Sequence, residues 1–344
     1  MRFYSCLEPP FSIHGLLGRR EPGAFWRLPD SVIDTISEDV SKIARRASGG
    51  RVRFRTDSKT IVFRMGLKSL EVAQCMPLSG SAGADVFLGA GAESRYAALI
   101  APENYDSRKV ETVLYTSGSL EQITINMPRN EPLDFLEIGL EEDARLLPAL
   151  PYRWKKPVVF YGSSITEGGA ASRPGTAYTS VLCRSLDCDH INLGFARSAR
   201  GEPAMARFIA GLEMSAFVLD YDHNAPTPQA LQATHAPLFR TVREAQPELP
   251  ILMLSRPNVF RDPEDAARRR EVIRATYEAA VASGDENVWF VDGEQLLAGP
   301  CPSNCTVDGI HPNDAGFQRM VQAVQPVLAE LLDRAERSEA GAAR

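Results

Sequence analysis

The sequence predicts an α/β protein: a three-layer α/β/α unit on a parallel sheet, preceded by an antiparallel β-sandwich. Three observations carry this. Beyond about residue 151, short apolar runs alternate with longer amphipathic stretches, the pattern of βα units on a parallel sheet. Before residue 150, short alternating runs are separated by Gly, Pro and Asn, the pattern of an antiparallel sandwich. Between them, Leu146-Leu147-Pro148-Ala149-Leu150-Pro151 supplies prolines that continue neither pattern. The expected domains are therefore 1–150 and 151–344.

In the first domain, Val52 and Phe54, then Ile61, Phe63 and Met65, alternate with polar residues around Thr56-Asp57-Ser58-Lys59, which predicts a hairpin. Val113–Tyr115, Ile123–Met127 and Phe135–Ile138 predict further strands, and Ser31–Ala47 the one helix. In the second domain the strand Val158–Tyr161 precedes a helix near Ala177–Leu186. Ala216–Leu219 precedes a helix from about Pro228 to Ala245. Ile251–Leu254 precedes Asp262-Pro263-Glu264, an N-cap followed by proline at the first helical position, and a helix to about Ser283. Val288–Val291 and a helix from Asp314 to about Arg334 close the series, and Arg337–Arg344 reads as a disordered tail.

A chain of 344 residues that is 44% hydrophobic can bury a sizeable core. Its net charge of −6 argues against nucleic-acid binding, which needs a basic stripe. No apolar run reaches the roughly 18 residues of a membrane helix, and the N-terminus lacks the apolar core of a signal peptide. The expected location is the cytoplasm, and the six cysteines are expected as free thiols. Cys301 and Cys305 have half the spacing of a zinc site without a second half nearby, so no metal and no cofactor are expected.

The chemistry concentrates in two places. Tyr161-Gly162-Ser163-Ser164 follows an apolar strand, so Ser164 falls at a carboxyl strand end, where ligands bind in such sheets. Serine also caps helices, and Gly-x-Ser-x-Gly is absent. Far downstream, Asp308-Gly309-Ile310-His311-Pro312 places an acid three residues before a histidine on a polar loop. A serine hydroxyl attacks only when a histidine takes its proton, and that histidine needs a carboxylate to fix its tautomer. Ser164, Asp308 and His311 supply these parts in the order Ser…Asp…His. Of the other histidines, His235 fits an apolar helical face, His14 and His190 lack any polar constellation, and His223 follows a strand and is a candidate for the site's surroundings.

These residues occur in ordered blocks. Gly162-Ser163-Ser164-Ile165-Thr166, Asn192-Leu193-Gly194-Phe195, Asn224 and Asp308-Gly309-Ile310-His311-Pro312 together resemble the SGNH (GDSL-like) hydrolases over roughly residues 155–335. Gly83-Ala84-Asp85-Val86-Phe87 is similar to the Gly-x-Asp-Leu-Tyr signature of a β-sandwich that precedes the hydrolase in one SGNH subgroup. The resemblance implies Ser164 as nucleophile, His311 as base and Asp308 as its orienting acid. It also implies an oxyanion hole from the Ser164 N–H, the Asn224 amide and a second-block backbone N–H. The family's glycine at that last place falls on Arg197. Its guanidinium would bind an anionic substrate, obstruct the pocket or face solvent. The aspartate usual before the serine is Ser163 here, a change shared with the sandwich-bearing subgroup.

The resulting expectation is a serine esterase acting on small acyl esters, acetyl foremost and carbohydrate-linked, through an acyl-serine. Arg197, His223 and Arg256 are candidates for substrate binding; Arg256 could equally form a structural ion pair. The run Arg268-Arg269-Arg270 reads as a solvated helix face. Phe25 and Trp26 read as core or as a platform for a sugar. The expected partner is a small-molecule ester, with neither nucleic acid nor membrane, and homo-oligomerisation is left open. Alternatives on the same residues are a lipid or thioester hydrolase, an acyltransferase, or a catalytically impaired carbohydrate-binding protein.

Overall fold

The computed structural model describes residues 1–257 and 260–342, with side chains through residue 337. Two large antiparallel sheets, with a short two-stranded one of Arg20–Glu21 and Ala24–Phe25, form the first part. One runs Arg2–Ser5, Leu133–Leu140, Thr60–Leu67, Lys109–Tyr115. The other runs Leu146–Leu147, Arg51–Thr56, Glu121–Asn126, Ala84–Leu88, Arg95–Ile100, with Ser12–His14 also on Arg51–Thr56. Alternate residues of both sheets, including Val52, Phe54, Ile61, Phe63, Ile123 and Ile138, meet in one apolar core.

A parallel sheet follows in the order His190–Gly194, Val158–Gly162, Ala216–Asp220, Ile251–Leu254, Val288–Val291. These strands are buried on both faces, which is why they read as continuous apolar runs. One face packs against the helices Pro203–Ala210, Pro228–Ala245 and Pro263–Ala282; the other packs against Tyr178–Ser185 and Asp314–Ala342. This is the expected α/β/α arrangement. Among the described residues no helix is long and apolar enough to cross a membrane.

Four expectations fail here. Arg51–Thr56 and Thr60–Leu67 are not a hairpin: each pairs within a different sheet, so the turn at Asp57–Lys59 crosses the sandwich. Alternation reports a half-buried strand but not its partner. The helix expected over Ser31–Ala47 is two, Asp30–Ile33 and Glu38–Ala44, the second capped by Ser37. Their Ile33, Val40, Ile43 and Ala44 belong to the apolar core on one face of the parallel sheet, with Leu193 and Phe195, rather than to the core of the sandwich. The last helix continues to Ala342, through most of the tail read as disordered. The strand His190–Gly194 and the helix Pro203–Ala210 had no counterpart in the sequence reading.

Candidate active site

Strand register gathers the site. Gly162 lies beside Gly194 on one neighbouring strand and Asp220 on the other, all at carboxyl ends. The chain then turns into a one-turn helix, Ser164–Glu167. A Cβ on Gly162 would sit 1.9 Å from Thr166 Oγ1, and one on Gly194 would sit 2.3 Å from the Glu167 N. Only glycine at both positions lets this turn lie so close against the two strands. Asn192 fastens it, donating from Nδ2 to Thr166 O (2.8 Å) and accepting from the Gly194 N–H (2.9 Å).

Capping falls to Ser163, whose hydroxyl accepts from the Ile165 N–H at 3.1 Å. Ser164 is thereby released from the capping role, and its Oγ lies 2.8 Å from His311 Nε2. His311 Nδ1 lies 2.8 Å from Asp308 Oδ2, while Asp308 Oδ1 accepts from the backbone N–H groups of His311 (2.8 Å) and Ile310 (2.9 Å). Partial burial works against the Asp308 charge, but these N–H donors and the imidazole outweigh it and hold the carboxyl below its usual range. With Asp308 ionised, Nδ1 carries a proton and Nε2 is left to accept one from Ser164.

Ser164 and His311 face a cavity of about 160 Å³, with Asp308 behind His311. Its walls include Ser164, His311, Ala196 and Arg197 from the α/β part and Met76 and Arg129 from the sandwich. Arg197 has φ +62°, the left-handed region that glycine occupies readily, so the backbone keeps the shape of a glycine position while its exposed side chain borders the cavity. Ser164 is the first residue of its helix, so its N–H has no acceptor within that helix. Asn224 directs Nδ2 to Phe195 O at 2.8 Å, joining its turn to the loop that carries Arg197. The amide's second N–H has no acceptor among the described residues.

Other candidates lie elsewhere. His223 is largely buried; burial foremost lowers its pKa to about 4, with Arg256 and His311 acting the same way, and its Nε2 has no partner among the described residues. It does not line the cavity. Arg256 is buried and pairs with Asp265 at 2.8 Å while donating to Asp262 O, so its side chain is committed to structure and the substrate-contact expectation loses its support. Phe25 is core, and Trp26 lies between the Arg19 and Arg45 guanidiniums, away from the cavity. The Arg268–Arg270 run is not simply solvated. Arg269 is buried and donates to Asp222 O (2.5 Å) and Ala225 O (2.8 Å), bracing the turn that carries Asn224. His14 and His190 have polar partners after all, Asp189 and Arg51 respectively. All six cysteines are free, Cys301 exposed and Cys305 buried, and no group of three or more His, Cys, Asp or Glu gathers among the described residues.

Sequence reasoning missed Glu167. Three residues after Ser164 it is wholly buried, 3.4 Å from Arg27 Nη2 and 3.4 Å from Arg129 Nη2, and it accepts from the Ala196 N–H at 3.1 Å. Burial raises its pKa, but Arg129, Arg27 and Arg46 prevail and keep it below the usual range. It thus ties the nucleophile's helix to the Arg197 loop through the Ala196 N–H, and to the N-terminal part of the chain through the two arginines. The only trace in sequence was its place directly after the first block.

Comparison with known proteins now decides the family. Residues 155–329 match the GDSL-like lipase/acylhydrolase family, and residues 1–146 match the N-terminal region of SGNH-type esterases. The chain belongs to the GDSL-like lipase/acylhydrolase family. It is an SGNH-type hydrolase. A GDSL-like lipase structure from Bacteroides ovatus is 26% identical, with a TM-score of 0.85, covering 96% of this chain and 98% of that one. A salicylyl-acyltransferase from a tetracycline biosynthetic pathway, SsfX3, is 21% identical with a TM-score of 0.77, over 96% and 97%. A family two carbohydrate esterase from Clostridium thermocellum, solved with cellohexaose, is 15% identical with a TM-score of 0.61, over 83% and 94%. The last two share the fold of this SGNH hydrolase.

Proposed function

We propose that this SGNH hydrolase cleaves small acyl esters, with acetyl the preferred acyl group, through an acyl-serine on Ser164. The observation that carries the reading is the unbroken chain Ser164–His311–Asp308, with 2.8 Å at both links, facing a cavity of about 160 Å³. Ser164 Oγ attacks the acyl carbon as His311 Nε2 takes its proton; Asp308 stabilises the imidazolium. Negative charge collects on the former carbonyl oxygen and meets the N–H groups of Ser164 and Arg197 and the Asn224 amide, donors that in comparable sites contribute about 3–4 kcal/mol each. His311 returns the proton to the leaving alcohol. Water then repeats the sequence and frees the acid.

The modest cavity favours short acyl chains, and the likeness to a cellohexaose-bound esterase favours a carbohydrate-linked alcohol. Nitrophenyl esters from acetate to octanoate test the first point, and acetylated oligosaccharides the second. The expected order of kcat/KM is acetate above butyrate above octanoate. A maximum at octanoate would overturn the acetyl assignment, and a fluorophosphonate adduct on any residue but Ser164 would overturn the nucleophile.

A further inference from the structure

A second cavity lies between the sandwich and the parallel sheet at the opposite end of the strands. His190, at the amino end of its strand, lines it, whereas Gly194 at the carboxyl end belongs to the catalytic side. Three arginines face it: Arg51 and Arg53 from the sandwich strand and Arg184 from the helix Tyr178–Ser185. Arg51 is satisfied, pairing with Asp189 and bonding His190 O (2.9 Å) and Tyr152 Oη (3.4 Å). Arg53 is not. It is 2% exposed, its guanidinium lies 3.7 Å over the Tyr152 ring, and no carboxylate or carbonyl receives it among the described residues. Arg184 lies 4.0 Å over the Phe87 ring and donates only to Gly175 O (2.9 Å), with no ion pair among the described residues.

A buried guanidinium without an acceptor is costly, and aromatic stacking satisfies its face but not its N–H edge. With Arg51 matched by Asp189, two guanidiniums remain against one carboxylate in the lining, Asp187, which ion-pairs with neither among the described residues. Burial foremost lowers the pKa of Arg53, and that of Arg184 to about 10, against the opposing pull of Asp187 and Asp189 on Arg53 and of Asp85 on Arg184. His190 is kept neutral by burial and by Arg51, so it adds no positive charge of its own.

We propose that this cavity is a binding site for a small phosphate-type oxyanion, held by the Arg53 and Arg184 side chains and clamping the two domains together. About 40 Å³ is open to the centres of water-sized groups, room for about three at roughly 10–15 Å³ each, which suits the oxygens of one oxyanion and excludes a nucleotide. Asn126 in the lining is an additional amide donor, its Nδ2 already shared with Asp85 at 2.8 Å. The fork geometry of two guanidiniums matches such an anion.

Inorganic phosphate is the probe. Titration calorimetry at constant ionic strength should show one saturable site, and phosphate should raise Tm beyond chloride at the same ionic strength. Acetate and sulfate titrations distinguish a carboxylate from a tetrahedral anion; tighter binding of acetate than of phosphate would overturn the phosphate assignment. Arg53→Gln and Arg184→Gln should each weaken phosphate binding by about tenfold or more while leaving nitrophenyl acetate hydrolysis unchanged. Absence of saturable binding to the wild-type protein, or affinity unaltered in both variants, would overturn the proposal.

Discussion

The two cavities lie at opposite ends of the strands Val158–Gly162 and His190–Gly194, and near each stand buried arginines from residues 1–150. At the carboxyl ends Arg27 and Arg129 converge on Glu167, with Arg27 also bonded to Gly194 O and Ile43 O. At the amino ends Arg53 lies over the Tyr152 ring and, among the described residues, reaches no carboxylate or carbonyl. A buried guanidinium whose N–H edges meet a carboxylate and carbonyls is scaffold, because its donors are answered where it stands. One whose edges meet no acceptor leaves donors for something else to answer. The same difference assigns the catalytic cavity its division of labour: reacting groups come from the parallel-sheet domain, and the sandwich supplies the wall and the counter-charges.

The strongest attack on that division removes a reacting group. Ser164→Ala should lower kcat by about 10⁴-fold or more without changing Tm, because the hydroxyl contributes chemistry and little packing. His311→Ala should be nearly as severe, and the double variant little worse than either. Losses that multiply would show that His311 does not serve Ser164.

Glu167→Gln tests the scaffold side. The change leaves Arg27 and Arg129 buried with a neutral partner, and breaking such a pair costs about 3–5 kcal/mol. Chemical denaturation should show a loss of that order, and kcat should fall with it because the Ala196 N–H loses a charged acceptor beside Arg197. Unchanged stability together with unchanged kcat would break the comparison.

Asp220 sharpens it further, as a buried acid on the catalytic side with no ion pair among the described residues. It accepts from Thr166 Oγ1 and Tyr178 Oη, both at 2.8 Å. Burial foremost, and then the Asp222 charge, raise its pKa to about 7. The unfolded chain releases this proton near pH 3.9, roughly the ordinary aspartate value, so between there and about pH 7 the folded state holds the extra proton. Stability from this group is therefore complete below that window and is lost as pH rises through it. Asp220→Asn should gain on the wild type across the same window, seen as a converging or reversed difference in unfolding free energy. A difference independent of pH would mean that Asp220 is ionised throughout.

What was legible in the sequence follows from the range of the forces involved. Pro228–Ala245, Ile251–Leu254 and Val288–Val291 emerged with the bounds expected, since periodicity and capping act within a few residues. Ser164, Asp308 and His311 were legible because their spacing repeats a known order of blocks. The buried arginines were not. Arg269 in a run of three looks like a solvated face, and Arg53 in an alternating strand looks like its polar side. Each is defined by a contact or an empty neighbourhood across the fold, which no local pattern encodes. The crossing at Asp57–Lys59 failed for the same reason: strand alternation is local, whereas sheet membership is not.

The smallest expected effect belongs to Arg197, where the two kinds of arginine meet in one residue. Its backbone is in the left-handed region at φ +62°, while its exposed side chain borders the cavity without an ion pair among the described residues. For an L-residue that conformation costs about 1–2 kcal/mol, so Arg197→Gly should leave Tm unchanged or slightly higher, the relief being offset by greater freedom of the unfolded chain. The oxyanion donor in question is a backbone N–H, which glycine retains, so hydrolysis of a neutral acetate ester should stay within about twofold. The guanidinium is what disappears. Esters carrying a carboxylate on the acyl group should lose kcat/KM by about threefold to tenfold, the range for a solvent-screened charge pair of up to about 1 kcal/mol and somewhat beyond it when part-desolvated. Raising salt should shrink that preference in the wild type and leave the variant unaffected. Equal losses on neutral and anionic esters would show that Arg197 acts through its backbone alone.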